Sequence, residues 1–449
     1  MMNCKLILAT AALTFASLTE VHGAMPVANA GPEAELPTER LGSIAFVNSC
    51  NSEVQSKFNR GVALLHDFWY TEAERQFREI AKADPRCGMA RWGVAMSQFQ
   101  QIWGRPDKQE IEIAWSELSR AQSPAAKSAR ERAYIAALSA FFRPDSKEYP
   151  ARIADYSQAM GALYGRFPKD VDAGAFYALS LLAAQDPNDT SLKSEHQAMT
   201  VLTPLYAAHP EHPGVIHYII HACDNPSMAS DGLTASQRYG KVAPSGSHAV
   251  HMPGHIFSRL GLWREDIEAN LLSVTAAEAA EARGRSSIMD EPHSYDFLAY
   301  AYLQSGQEDA AHHAIDQANA VLMHLQSMPD MADGAMRDMV PYYRSELPAF
   351  YALEMRDWET AAAMQPVAGA PAYVKTLTYW ARAIADGRLH RPGQARADLA
   401  GYDALTEEIG KGPDAYRLAS TGQRISHGEV LAWVAFAESN KTDALALMR

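Results

Sequence analysis

The sequence predicts an all-α fold, an array of antiparallel helix pairs, and three observations carry that prediction. Apolar residues recur at three- and four-residue spacing from about residue 47 to the end of the chain. Alanine is abundant, and no succession of alternating strand patterns interrupts the helical period. One helix-turn-helix spacing then returns along the chain. Its clearest copy is FNRGVALLHDFWYTEAERQFREIAKADP (58–85), with small residues at Gly61 and Ala73, an aromatic at Tyr70, Phe77 four residues after Ala73, and Pro85 at the end. Small residues let two helices approach closely, the bulky ones fill the space between them, and proline stops the second helix.

The other copies follow in order. Gly261, Trp263 and Asn270 mark a turn and second helix after 253–260. Tyr295, Ala299, Gly306, Ala311 and Ala318 repeat the spacing over 293–320. Ala349, Trp358 and Ala361 make another unit; Ala383, Ala395 and Leu399 the next, with Pro392-Gly393 in its turn; Ala432, Ala444 and Met448 the last. Residues 100–240 fit this register poorly. The pattern resembles the tetratricopeptide repeat (TPR) over most of 50–449. That resemblance implies a TPR-like α-solenoid, a right-handed superhelical array whose concave face is lined mainly by the first helix of each pair and suits a protein or peptide partner. The segments HYIIHACD (217–224) and HAVHMPGHIF (248–257) also resemble exported bacterial repeat proteins of unassigned function.

The N-terminus reads as an export signal. MMNCK gives a short basic start, LILATAALTFASL an apolar core, and TEVHGA a cleavage region ending before Ala24, with Ala28-Asn29-Ala30 a second candidate. The apolar run is too short to remain as a membrane span. The expected organisation is a signal peptide over 1–23, a flexible lead-in over 24–46 rich in Ala, Pro, Gly and Glu, and the repeat domain over 47–449, in a periplasmic or secreted protein. The net charge of −13 argues against nucleic acid as a partner, because that needs a basic surface. An oxidising destination permits disulfides. Cys50 and Cys87 flank one predicted hairpin, and sequence leaves their pairing open; Cys223 sits on an apolar helix and reads as a buried inert thiol.

Histidine is the strongest chemical signal. Seven of the 16 histidines fall between residues 209 and 255. In PEHPGVIHYIIHACDNP (210–226), Pro213 opens a helix and Asn225-Pro226 closes it, so His217 and His221 lie one turn apart on one face with Asp224 three residues on. Two imidazoles and a carboxylate are a workable set of metal ligands, or the carboxylate orients an imidazole; the plainer reading is a polar helix edge bonded to its neighbours. In SHAVHMPGHIF (247–257), Pro253 spoils a simple His-x3-His reading of His251 and His255. Either a helix starts at Pro253 and leaves His248 and His251 on its entry segment, or it runs from Ser247 as N-cap and kinks at Pro253. The two histidine segments lie about one repeat apart, so adjacent hairpins are expected to bring them face to face.

His293, in DEPHSY, either extends that face or is simply a first-turn helix residue beside Pro292. His66 in LLHDFWY faces the groove or packs as a polar residue at the first hairpin turn, and His312 and His313 face solvent. An imidazole-rich set with a carboxylate suits zinc, iron, copper or nickel, and spacing does not choose among them. No G-x-S-x-G elbow, C-x-x-C-H haem attachment or Gly-rich phosphate loop is present. Two functions remain: a binding scaffold that needs nothing from the histidines, and a metal-dependent hydrolase or oxidoreductase centred on them.

Overall fold

In the first hairpin, Phe77 shows how small residues set the helix spacing. Helices Gln55–His66 and Tyr70–Ala83 pack together, and Gly88–Ser97 packs on the second. Phe77 is fully buried between them. A Cβ at Gly61 would lie 2.8 Å from its ring, and one at Gly93 2.3 Å. The structure, a computed structural model, describes residues 39–449 apart from 103, 123–127, 146, 187, 286–289, 328–334 and 420. The expected signal peptide and nearly all of the lead-in lie outside the described residues. Cys50 and Cys87 form a disulfide that ties the entry of the first hairpin to its exit, and Cys223 is buried and free.

The array is helical throughout the described residues, each helix packing mainly on its sequence neighbours. Seven turns share one construction among the described residues. Phe68, Gly261, Gly284, Gly306, Arg356, His390 and Ser439 all have φ between 54° and 73°. The next amide in each turn donates to the carbonyl five residues back, as from Trp69 to Leu64 at 2.9 Å, Leu262 to Phe257 at 2.8 Å and Asn440 to Ala435 at 2.9 Å. This is the Schellman closure, which satisfies the last carbonyls of the first helix. Six of them are the turns of the six units legible in the sequence; the seventh, at Gly284, follows the helix Trp263–Glu281. Glycine fits the left-handed conformation at Gly261 and Gly306 without a Cβ clash.

Residues 100–240 continue as helices despite their poor register. Helices Tyr149–Arg166 and Lys193–Ala208 end at Phe167 and His209, with φ of −127° and −134°. Each of these residues precedes a proline, which favours extended backbone there. These turns therefore close without the left-handed residue that marks the other units.

The packed body starts at Arg40, earlier than the expected boundary at 47. Phe46 is fully buried, with its ring 5.3 Å from Phe58 and 5.1 Å from Tyr134. No helix among the described residues is long and apolar enough to cross a membrane.

Candidate metal centre

The two histidine segments stand on helices Pro213–Cys223, Ser247–His251 and Pro253–Leu260, with Ala229–Val242 between them in sequence. Pro213 occupies the first turn of its helix, where a missing N–H costs nothing. The Pro253 question resolves as a near-continuous passage. Gly246, rather than Ser247, caps the short helix, and Met252 keeps helical dihedrals between the two segments. His251 and His255 therefore do approach as a His-x3-His pair, with Nε2 atoms 3.0 Å apart, which corrects the expectation drawn from Pro253.

Two histidine trios result. His217, His221 and His248 each offer a ring nitrogen, all within 4.8 Å of one another, and so do His251, His255 and His293. His293 thus extends the face instead of standing alone at its helix start. His248 and His251 sit one turn apart on one short helix and join the trios, with ring centroids 6.0 Å apart. A phenyl ring packs on each trio. Phe68 lies 4.3 Å from His217, 5.4 Å from His221 and 5.6 Å from His248. Phe297 lies 4.8, 4.7 and 5.2 Å from His251, His255 and His293.

The outer nitrogens of three rings have assigned partners. His217 Nδ1 donates to the His66 carbonyl at 2.5 Å. His255 Nδ1 donates to Asp224 Oδ2 at 2.9 Å, so Asp224 orients an imidazole from outside the trio and also receives Arg259 Nε at 2.9 Å. His251 Nδ1 meets Asn270 Oδ1 at 2.6 Å. The Asn270 amide cannot be reversed there, because its Nδ2 already donates to the Asp266 carbonyl at 3.0 Å and to Asp266 Oδ1 at 2.7 Å. His251 and His255 are therefore both protonated on Nδ1 when neutral, and both present a bare lone pair on Nε2. Two acceptors face each other at 3.0 Å. Nitrogens each about 2.0–2.1 Å from one ion stand about 3–3.4 Å apart, so a cation between them relieves the contact.

A proton on His251 does so poorly, because burial, followed by the neighbouring His293, pushes that ring well below its usual range. Burial also lowers His293 to about 3, with His255 adding to the effect. In the first trio burial lowers His221 to about 3, again helped by His255, and pushes His217 and His248 well down, helped by His221 and His217 respectively. Asp224 is opposite in sign. Its burial favours the neutral acid, but the hydrogen bond and charge of His255, with those of Arg259, hold it well below the usual carboxylate range.

His66, Asp172 and His212 make a third close group, of a different kind. Val215 N–H donates to His212 Nδ1 at 3.3 Å, so His212 carries its proton on Nε2 and donates to Asp172 Oδ1 at 3.2 Å. His66 Nε2 donates to the same oxygen at 3.1 Å, and its Nδ1 accepts from the Tyr218 hydroxyl at 3.0 Å. Every inward nitrogen is thus spent on a hydrogen bond. This clamp fixes His66, whose carbonyl in turn orients His217. Burial alone would raise Asp172, yet the bonds from His212 and His66 hold its carboxyl well below the usual range. His66 is fully buried, and His312 and His313 are exposed.

Nothing in the residue pattern signals the roles of Phe68 and Phe297. Asn270, a fully buried amide, entered the sequence reading only as a repeat marker. Its polarity on a second helix was the available clue.

No protein-family model matches the chain, and no curated protein matches it. Among solved structures it is similar to the human IFIT1 dimer with m7Gppp-AAAA, at 11% identity and a TM-score of 0.40 over 90% of each chain. It is also similar to the human IFIT1 dimer with PPP-AAAA, at 12% identity and a TM-score of 0.30, over 89% of this chain and 94% of that one. Likeness at this level says nothing of ligand or activity.

Proposed function

We propose that this chain is an exported metalloprotein, a helical-repeat scaffold that holds two transition-metal ions side by side, one in each histidine trio. The observation that carries the reading is the contact between His251 Nε2 and His255 Nε2, two atoms their outer hydrogen bonds leave as bare acceptors. His217, His221 and His248 hold the first ion; His251, His255 and His293 hold the second; Asp224, Asn270 and the His66 carbonyl fix ring orientation.

Three imidazoles per ion leave a coordination position open, the arrangement of catalytic rather than structural sites. That favours an enzyme, a metal-assisted hydrolase or oxidoreductase, over a storage protein. An all-imidazole set suits copper or zinc, and the affinity order favours copper. The bound ions would supply Lewis-acid or redox chemistry; the chain supplies orientation, two phenyl covers and, at His217, His221, His248, His251 and His293, burial that disfavours protonation. Export is supported by the apolar N-terminal run and fits the Cys50–Cys87 disulfide.

The test is elemental analysis of tag-free protein purified from its native compartment. About two ions per chain are expected, falling to none in a His217→Ala/His251→Ala double variant that keeps its helical circular dichroism. A folded, metal-free wild-type chain that refuses added copper, zinc, iron and nickel would overturn the reading.

A further inference from the structure

A cavity of about 340 Å³ lies directly behind the second trio. Phe297 is the shared wall. One side of its ring packs on His251, His255 and His293, and its side chain also lines the cavity. Two of the flanking helices belong to the centre itself, Pro253–Leu260 supplying Ser258 and Asp290–Gln304 supplying Asp296, and Ala335–Glu354 closes the far side. The size is at the small end for ligand pockets.

The lining has a distinct chemistry. Phe297, Tyr300, Phe350 and Tyr351 make it strongly aromatic, and its two charged residues, Asp296 and Glu354, are both acidic. No lysine, arginine or histidine lines it, so a carboxylate or phosphate would find no cationic partner there. Glu354 is already engaged by Gln304 Nε2 at 3.0 Å. Behind Asp296 stands Glu346, 7% exposed, whose Oε1 accepts from the Tyr342 hydroxyl at 2.5 Å. Glu346 Oε2 is buried with no hydrogen-bond partner among the described residues. Burial raises Asp296 to about 7 and, with the charge of Asp296, pushes Glu346 well above its usual range. Two acids short of positive charge, Glu346 buried and Asp296 half-buried, walled by aromatic faces, are matched by an ammonium on an aromatic or alkyl stem.

We propose that this cavity binds a small aryl-alkyl primary amine, its ammonium on Asp296 and its ring against Tyr300 and Phe350, as the substrate site of the six-histidine centre. The role as substrate site rests on the metal reading above; the binding itself does not. Tyr300 and Phe350 are 39% and 37% exposed, which leaves the cavity open for a ligand to enter.

The probes are phenethylamine, its neutral analogue 2-phenylethanol and its anionic analogue 3-phenylpropionate, titrated calorimetrically into the full chain with and without copper. Phenethylamine is expected to bind at least tenfold more tightly than either analogue. Asp296→Asn should abolish that preference, and Phe350→Ala, at a partly exposed position, should weaken binding severalfold with the fold retained. Neither variant should change metal content. In the copper-loaded protein phenethylamine should shift the visible absorption of the metal.

Equal binding of the three probes, or no binding of phenethylamine, overturns the proposal. Binding without a change in the metal spectrum overturns the substrate-site role. Amine-selective binding by a chain that takes up no metal supports the cavity assignment and overturns the metal reading alone.

Discussion

Lowering the pH from 7.5 to 5.5 should weaken metal binding at the first trio far less than it would for free imidazoles. A metal competes with protons for imidazole, so affinity falls where the free site is protonated. Three imidazoles with the ordinary value of about 6.5 are each only about 9% neutral at pH 5.5, and the chance that all three are free drops roughly a thousandfold, about 4 kcal/mol. In this protein burial lowers His221 to about 3 and carries His217 and His248 well down. A group lowered in this way stays neutral until the pH nears its folded value. At pH 5.5 the trio therefore takes up protons far less readily than free imidazole, and the loss from this source should fall well short of a thousandfold. The assay is direct calorimetric titration of copper into the metal-free chain at both pH values, with circular dichroism to show that the fold persists. A fall approaching a thousandfold in a folded chain would mean that the three rings take up protons as freely as in solution, and the reasoning from burial would fail.

Three further outcomes are expected. Asp224→Ala removes the acceptor of His255 Nδ1–H and should weaken metal binding 10–100-fold, measured by chelator competition, with little change in the thermal melt. Gly214→Ala places a Cβ 2.1 Å from His66 Nδ1 while Phe176 stacks on the ring at 4.4 Å, so the ring cannot retreat. It should cost about 1–3 kcal/mol in denaturant melts and also weaken metal binding through the displaced His66 carbonyl. Asp266 is fully buried and burial raises it to about 8, so between about pH 4 and pH 8 the native chain holds a proton that the unfolded chain releases. Its contribution to stability thus declines as pH rises through that window. Asp266→Asn should remove the decline, and melts at pH 4.5 and 8 should show the variant gaining on the wild type at the higher pH.

Much of this was legible before the structure, and what escaped has identifiable causes. The Gly61, Ala73 and Phe77 spacing reports a local need, helix approach within one hairpin, and local needs leave regular marks. The turns at Phe167-Pro168 and His209-Pro210 meet the same need by a different closure, so the middle of the chain broke the register without breaking the fold. His217 and His221 were readable as a pair because one helix sets their spacing. Pro253 misled because its effect depends on whether Met252 keeps helical dihedrals, which tertiary packing decides. The role of Asn270 was hidden for a further reason: sequence distance does not show that an amide on the helix Trp263–Glu281 dictates which nitrogen of His251 carries the proton.

The matching turns also map where this protein can be hardened. Arg356 and Ser439 are exposed, yet both hold a left-handed backbone that disfavours a side chain by about 1–2 kcal/mol. Glycine at either position should raise the melting temperature, less the added freedom of the unfolded chain. Phe68 invites the same exchange on backbone grounds, but its ring lies over His217, His221 and His248. At Arg356 and Ser439 an engineer can raise heat resistance without touching the histidines; at Phe68 the same gain strips the cover from three of them.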